Sequence, residues 1–258
     1  MSYISIVMPT KDRAHLISKS IESVLNQTYR DWELIVIDVH STDNTQEIIE
    51  NFDDPRIKYF KLPNGTGPGT ARDFGIKKAQ NEIIVLADSD DINLPERLQL
   101  TAEAFKREDD IDLIYGLAQR IEEDKTQTQR PSQEFNKNLF FCYNFISHIT
   151  VAYKKDVYLS TQGYDPKLRT SEDYDLLLTF AQKNYKFHFI DRTLVLQTIH
   201  PGSTLLETEL ERRKQNLAYV RKKHNLPTPK FKDVIKLVQN KDLRDFITNP
   251  KTQKFWFE

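Results

Sequence analysis

Short apolar runs alternate with helical periodicities through the first hundred residues. Ile4 to Met8, Glu33 to Ile37, Ile57 to Phe60 and Ile83 to Ala87 are rich in β-branched residues and show no regular polar face, the pattern of strands covered on both sides. Between them Leu16/Ile17, Ile21 and Val24/Leu25 recur at helical spacing, and Asn44 to Phe52 and Thr70 to Ala79 read as further helices. The resulting β-α-β-α-β-α-β order predicts an α/β fold with a mostly parallel central sheet flanked by helices. In such sheets ligands bind beyond the carboxyl ends of the strands. Polar residues gather there: Thr10-Lys11-Asp12 after the first strand, Asp38 after the second and Asp88 to Asp91 after the fourth.

Further along, Pro95 opens a helix with Leu98, Ala102 and Phe105 on one face, and Asp112 to Gly116 reads as a strand. Residues 118–140 are polar and ambiguous, with Glu122 to Gln133 reading as an exposed loop or hairpin. Ile146 to Tyr153 reads as a strand and Tyr174 to Ala181 as an amphipathic helix. Lys186 to Ile190 and Leu194 to Ile199 read as two more strands. Leu206, Leu210, Leu217 and Val220 mark a long helix, and Pro227 and Pro229 separate it from a final basic stretch. Phe255-Trp256-Phe257 is expected to dock back onto the body.

Composition narrows the setting. With 258 residues, 29% charged and 38% hydrophobic, the chain is sized for a large core. Its single cysteine, Cys142, rules out an internal disulfide and suits a reducing compartment. The opening residues carry neither the basic region nor the apolar length of a secretory leader, and no apolar segment is long enough to span a bilayer. A cytoplasmic location is expected, so the Asn-x-Thr matches at Asn26 and Asn64 read as coincidental. Residues 211–258 hold thirteen Lys/Arg against five Asp/Glu, leaving the rest net negative. That basic tail suggests peripheral contact with an anionic membrane, from the cytoplasmic face, against the plainer reading of a solvated helical face. Nucleic acid is not an expected partner, because the basic residues lack interleaved aromatics in a recognisable reader motif.

The acidic run Asp88-Ser89-Asp90-Asp91 carries the chemistry. Three carboxylates within four residues repel one another, and a hard divalent cation with phosphate oxygens relieves that repulsion. The competing reading is a cap on the helix entered at Pro95. An EF-hand is disfavoured because the glycine at the sixth position is missing. Asn64-Gly65-Thr66-Gly67-Pro68-Gly69 matches neither GxGxxG nor a Walker sequence, and reads as a flexible connection into the following helix.

Eight short elements then occur in one order. They are residues 5–10 (Ser-Ile-Val-Met-Pro-Thr), 23–29 (Ser-Val-Leu-Asn-Gln-Thr-Tyr), 33–38 (Glu-Leu-Ile-Val-Ile-Asp), 41–45 (Ser-Thr-Asp-Asn-Thr), 70–73 (Thr-Ala-Arg-Asp), 88–91 (Asp-Ser-Asp-Asp), 171–175 (Ser-Glu-Asp-Tyr-Asp) and 200–203 (His-Pro-Gly-Ser). Over roughly residues 3–204 the chain resembles the family 2 glycosyltransferases, inverting enzymes with a GT-A fold. The resemblance implies a Rossmann-like GT-A domain over 1–204, with a nucleotide-binding part to about 117, an acceptor-binding part from about 118 to 204, and a helical extension over 205–258.

It also implies roles. Asp88 and Asp90 match the family's DxD motif, with Mn2+ or Mg2+ as cofactor and His200 as a further ligand. Pro9, Thr10, Asp12, Arg13, Asp38, Arg72, Asp88 and Ser89 are the expected donor-binding positions. Asp38 would meet the imide edge of a uracil, and Arg72 a phosphate or the base. Asp173 matches the catalytic base that deprotonates the acceptor hydroxyl, with Glu172 as the alternative if the register slips. His148 falls where a polar residue near the acceptor is common. Two departures stand out: Asp38-Val39-His40 where Asp-Asp-Gly is usual, and Lys11-Asp12 where an aromatic and Asn are common. The implied activity is transfer of one sugar from a nucleoside diphosphate sugar, favouring a UDP-sugar, to a hydroxyl of a glycan or glycolipid. The alternatives are a nucleotidyltransferase that makes sugar nucleotides and a noncatalytic sugar-nucleotide-binding protein.

Overall fold

A computed structural model describes residues 3–107, 110–121, 127–203 and 208–256. In chain order the elements are β1 (Ile4–Thr10), α1 (Ile17–Leu25), β2 (Trp32–Asp38), α2 (Thr45–Glu50), β3 (Ile57–Lys61), α3 (Pro68–Lys78) and β4 (Ile83–Leu86), then β5 (Ile92–Asn93) and α4 (Arg97–Arg107). There follow β6 (Leu113–Ile121), β7 (Gln127–Arg130), α5 (Lys137–Cys142), β8 (Ala152–Lys154), α6 (Lys155–Leu159), α7 (Glu172–Gln182) and β9 (Phe187–Thr198). Four helices close the chain: α8 (Leu210–Lys223), α9 (Phe231–Leu237), α10 (Lys241–Thr248) and α11 (Pro250–Trp256).

Among the described residues the strands form one sheet in the order β3-β2-β1-β4-β8-β6-β9-β5, with β7 paired to β6. The first four are parallel, as the alternating pattern predicts. Their apolar runs are continuous because both faces are covered. Val7, Ile35, Ile37, Ile84 and Leu86 point into one core with α3 and α7, while Ile6, Met8, Leu34, Val36 and Val85 point into the other with α1 and α4. Each parallel crossover then delivers a carboxyl strand end, with its polar residues, to the same edge of the sheet.

The second half departs from the expected pattern in two places and resolves an ambiguous third. Ile146 to Tyr153 is not one strand: a single 3-10 turn spans His148–Thr150, and only Ala152–Lys154 pairs in the sheet. Side chains take over the backbone partners there. The Asn144 carboxamide oxygen accepts from the Ile146 amide at 3.1 Å, and the Thr150 hydroxyl accepts from the Gly116 amide at 3.2 Å. Lys186 to Ile190 and Leu194 to Ile199 merge into the single strand β9, whose polar interval is absorbed by register shifts opposite Gly116-Leu117-Ala118. Gly116 permits this, since a Cβ there would lie 2.6 Å from Leu194 Cδ1. The ambiguous 118–140 stretch contains the β6–β7 pairing, a hairpin whose tip falls outside the described residues.

The C-terminal helices pack into the body. Leu217, Val220, Val234, Val238, Leu243 and Ile247 belong to the same buried cluster as Val7 and Ile37. The Trp256 ring lies 4.9 Å from that of Tyr143 and 5.7 Å from that of Tyr174, so the aromatic end docks as expected. Phe257 and Leu206 lie outside the described residues.

Helix α3 is pressed against β1 and β2 through Gly75, where a Cβ would lie 2.6 Å from Ile37 Cδ1 and 2.7 Å from Val7 Cγ1. An Ala at an exposed helical glycine stabilises by roughly 0.5–1 kcal/mol, but overpacking of a filled core costs about 1–3 kcal/mol. Gly75→Ala is therefore expected to destabilise. Urea unfolding should show a lower midpoint at unchanged slope, and a raised midpoint would refute this packing account.

Candidate active site

A cavity of about 550 Å3 opens at the carboxyl ends of β1 and β4. Its wall includes Pro9, Thr10, Asp12, Arg13, Arg72, Asp88, Ser89 and Asp90 from the expected set, together with Lys11, Val39, Arg169 and Thr208. Oxygens of Asp88, Asp90 and Asp91 lie within 4.8 Å of one another, the only such cluster among the described residues. Hard carboxylate oxygens at that spacing suit Mg2+ or Mn2+. Asp91 belongs to this cluster although the family motif points only to Asp88 and Asp90. It is buried and accepts the Thr198 amide at 2.9 Å, and burial first, then Asp90 and Asp88, push its carboxyl above the ordinary range.

Asp88 and Asp90 are each answered by a cation or imidazole from a different part of the chain. Arg72 Nη2 donates to Asp88 Oδ1 at 2.8 Å. Arg13 Nε donates to Asp90 Oδ2 at 3.3 Å, and its Nη2 reaches the Gly202 carbonyl at 2.7 Å. His200 Nε2 lies 2.9 Å from the same Asp90 oxygen, so the His200 loop is drawn to the cluster through Asp90. Thr10 is buried with its hydroxyl unpartnered on the cavity wall.

Asp38 stands apart from this group. It is wholly buried off the cavity wall, with Oδ2 accepting the Tyr59 hydroxyl and Oδ1 the Ser41 amide, both at 2.7 Å. Its place in the β2 register, between Thr10 and Lys61, turns the carboxylate toward β3. Asp12 does face the cavity, in left-handed backbone at φ 50°, and accepts the Thr42 amide at 2.7 Å.

The first turn of α7 supplies three more acids, Glu172, Asp173 and Asp175, where the positive end of the helix dipole favours ionised carboxylates. Their environments differ. Glu172 is buried, and Arg72 Nη1 donates to its Oε1 at 3.2 Å. Burial and the neighbouring Asp173 push the Glu172 carboxyl up to about 7, with Arg72 pulling the other way. Burial also opposes the charge of Arg72, but Asp88, Tyr164 and Glu172 outweigh it and hold the guanidinium above its usual range. Asp175 is met by Lys223 Nζ at 2.8 Å and His224 Nε2 at 2.9 Å. Asp173 is half-buried and accepts the Asn144 amide at 3.3 Å, with no cation against it among the described residues. His148 is buried and pairs with the Tyr164 hydroxyl at 3.0 Å.

A sequence model described as Glycosyl transferase family 2 matches residues 5–158, more than half of the chain. The chain belongs to that family. It is a glycosyltransferase, as its resemblance implied. An uncharacterized glycosyltransferase of Methanocaldococcus jannaschii is 29% identical over 230 residues, covering 86% of this chain and 79% of that protein. The UDP-Glc:alpha-D-GlcNAc-diphosphoundecaprenol beta-1,3-glucosyltransferase of Escherichia coli is 39% identical over 113 residues, and the match spans only 44% of either protein. Among solved structures, S. aureus TarS 1-349 in complex with UDP-GlcNAc aligns over 97% of this chain and 74% of that one, with TM-score 0.72 and 17% identity. A Pyrobaculum calidifontis mannosyltransferase in complex with GDP-Man and Mn2+ aligns over 98% and 69%, with TM-score 0.64 and 14% identity. At such identities the likeness establishes the GT-A-type fold.

One residue of this glycosyltransferase's site went unread in the sequence. Arg97 is wholly buried beneath the cluster, donating to the Leu86 carbonyl at 2.7 Å and to the Asn93 side chain. Burial pushes its guanidinium down to about 9, against the pull of Asp91 and Asp88. The available signal was an arginine at helical spacing with Thr101 and Ala104, on the buried face of an amphipathic helix. Removing Arg97 takes away the donor to the Leu86 carbonyl and the Asn93 side chain together with a buried positive charge that acts on Asp91, changes that together cost about 3–5 kcal/mol. Arg97→Met should therefore lower unfolding stability by that order. Arg192→Ala, which breaks an exposed pair with Glu96, should stay within about 1 kcal/mol, and equal effects in urea titrations would refute the charge-balance account.

Proposed function

We propose that this glycosyltransferase moves one sugar, with inversion, from a nucleoside diphosphate sugar to a hydroxyl of a glycan or glycolipid acceptor, using Mn2+ or Mg2+. The observation that carries this reading is the meeting of a carboxylate triad with a cavity sized for a nucleotide, near a helix start bearing an aspartate that meets no cation among the described residues. Asp88 and Asp90, with Asp91 behind them, would hold the metal. When bound, the ion supplies Lewis-acid charge neutralisation for the departing diphosphate. Thr10, Asp12 and Arg13 would hold the nucleotide and its phosphates from the β1 loop. Asp173 would take the proton from the acceptor hydroxyl, a role that suits a carboxylate free of cations at a helix start.

The relatives favour a UDP-sugar and a lipid-linked acceptor. The Escherichia coli enzyme's name specifies UDP-Glc and a diphosphoundecaprenol acceptor, and the TarS complex holds UDP-GlcNAc. The complex with GDP-Man and Mn2+ supports the metal and keeps GDP-sugars as competitors. Such an acceptor lies at a membrane. Among the described residues no helix is long and apolar enough to cross one, and we place the contact on the cytoplasmic face through exposed Arg212, Lys222, Lys230, Lys232 and Lys236.

Donor binding to the native state raises the thermal midpoint by mass action, by about 2.7 kcal/mol of stability at a hundredfold excess over Kd. A panel of UDP-, GDP- and dTDP-sugars is expected to raise the midpoint only with Mn2+ present, the UDP-sugars most. Asp90→Ala should abolish the metal-dependent shift. Asp173→Asn should keep it while slowing release of UDP by about 10²–10⁴. The proposal fails if no nucleotide gives a metal-dependent shift.

A further inference from the structure

Glu172 is a buried carboxylate that the proposed reaction does not use, at the start of the helix carrying Asp173. That helix start is poorly held by its own sequence. Ser171 at the cap lies in left-handed backbone at φ 65° and makes no side-chain capping bond. Helix α3 supplies the missing hold. A Cβ on Gly69 would come within 2.9 Å of Tyr164 Cβ and 3.4 Å of Glu172 Cγ, so the last glycine of the 64–69 segment is what lets the two helices approach. One turn later Arg72, with a side chain only 7% exposed, spans from Glu172 Oε1 at 3.2 Å to Asp88 Oδ1 at 2.8 Å.

We propose that the Arg72–Glu172 pair is a positioning element of the transfer reaction, holding the first turn of α7, and Asp173 with it, in register with the carboxylates at the strand ends. This rests on the glycosyl-transfer reading of the site. Inverting displacement needs the base and the leaving diphosphate on opposite sides of one carbon, and a misplacement of about 1 Å can cost about 10²-fold in rate. A guanidinium fork suits the task because it grips two carboxylates at fixed separation, whereas a lysine ammonium is a single point charge. Glu172 is absent from the cavity wall, so its influence passes through the helix and Asp173 rather than through the donor. Lys223 and His224 hold Asp175 on the other side of the same turn, which leaves the Glu172 contact to fix the side nearest Asp88.

The test compares wild type, Glu172→Gln and Arg72→Lys near pH 8, on the alkaline side because burial and Asp173 raise the Glu172 carboxyl. Three quantities are read: exchange of the Asp175 to Leu178 amides, UDP affinity in Mn2+ by calorimetry, and UDP release from UDP-glucose and UDP-GlcNAc with water as acceptor. The Asp175 amide bonds to the Ser171 carbonyl at 3.0 Å and so reports the helix start directly. Both variants should exchange there about tenfold faster or more, with β1 and β2 amides unchanged. Glu172→Gln should bind UDP within about threefold of wild type while its rate at saturating donor falls about tenfold or more. Unchanged exchange in both variants, or an unchanged rate in Glu172→Gln, overturns the inference. Loss of UDP binding in Glu172→Gln overturns it too, by making Glu172 part of the donor site. Failure of wild type to bind UDP would refute the functional reading instead, and the exchange measurement would still decide the tie.

Discussion

Everything near the cavity follows from placing three carboxylates within 4.8 Å of one another. Two unit charges at about 4 Å repel by about 4 kcal/mol at an effective dielectric constant of 20, so Asp88, Asp90 and Asp91 cannot be packed together without counter-charge. The fold answers with arginines from three separate elements. Arg72 comes from α3, Arg13 from the loop after β1, and Arg97 from α4 beneath the strand ends. None is close to the others in sequence except through the sheet. The acidic run is therefore tolerable only once the parallel strands and their crossovers have formed. Even then Asp91 remains pushed toward its protonated form, by burial first and then by Asp90 and Asp88. The repulsive part is what a divalent cation would relieve.

The loops that present these groups are fastened to each other rather than to solvent. The Asp12 amide donates to Ser41 Oγ, the Arg13 amide to Thr45 Oγ1 and the Ala14 amide to Asp43 Oδ2, at 2.9, 2.9 and 3.0 Å. Residues 41–45, which in the sequence were only one element of a family pattern, thus act as a rack of acceptors for the β1 loop. Short polar side chains suit this work because they bond readily to nearby backbone. Asp12 takes up left-handed backbone within the rack, a conformation its side chain tolerates better than most.

What the sequence revealed divides along the same line. The parallel half was legible because each strand is buried on both faces and each helix keeps a 3.6 period, so local pattern and tertiary environment agree. The second half was harder to read where tertiary contacts override pattern. Thr150 and Asn144 divert backbone groups from the ladder and break the expected strand, while β9 absorbs three polar residues because Gly116 leaves room beside Leu194. At the site, Asp88, Asp90, Arg13 and Arg72 were readable as motif positions, and the structure gathers them. Asp38 was readable as a carboxylate but not by its direction, which depends on Tyr59 from a neighbouring strand. Arg97 could be read only as an arginine on a helix face, because its purpose exists only after Asp91 is buried near it.

The same reasoning singles out one acid among the three in the first turn of α7. The family resemblance points to Asp173 for proton transfer with Glu172 as the alternative, and Asp175 shares their helix turn. A carboxylate gripped by a cation has its lone pairs engaged, so such a group is poorly placed to receive a proton from an alcohol. Arg72 engages Glu172, and Lys223 with His224 engages Asp175. Among the described residues Asp173 meets no cation and accepts the neutral amide of Asn144. The cations that meet the helix on either side leave its middle carboxylate without one, so the anchoring of α7 and the base we propose would come from one arrangement of charge.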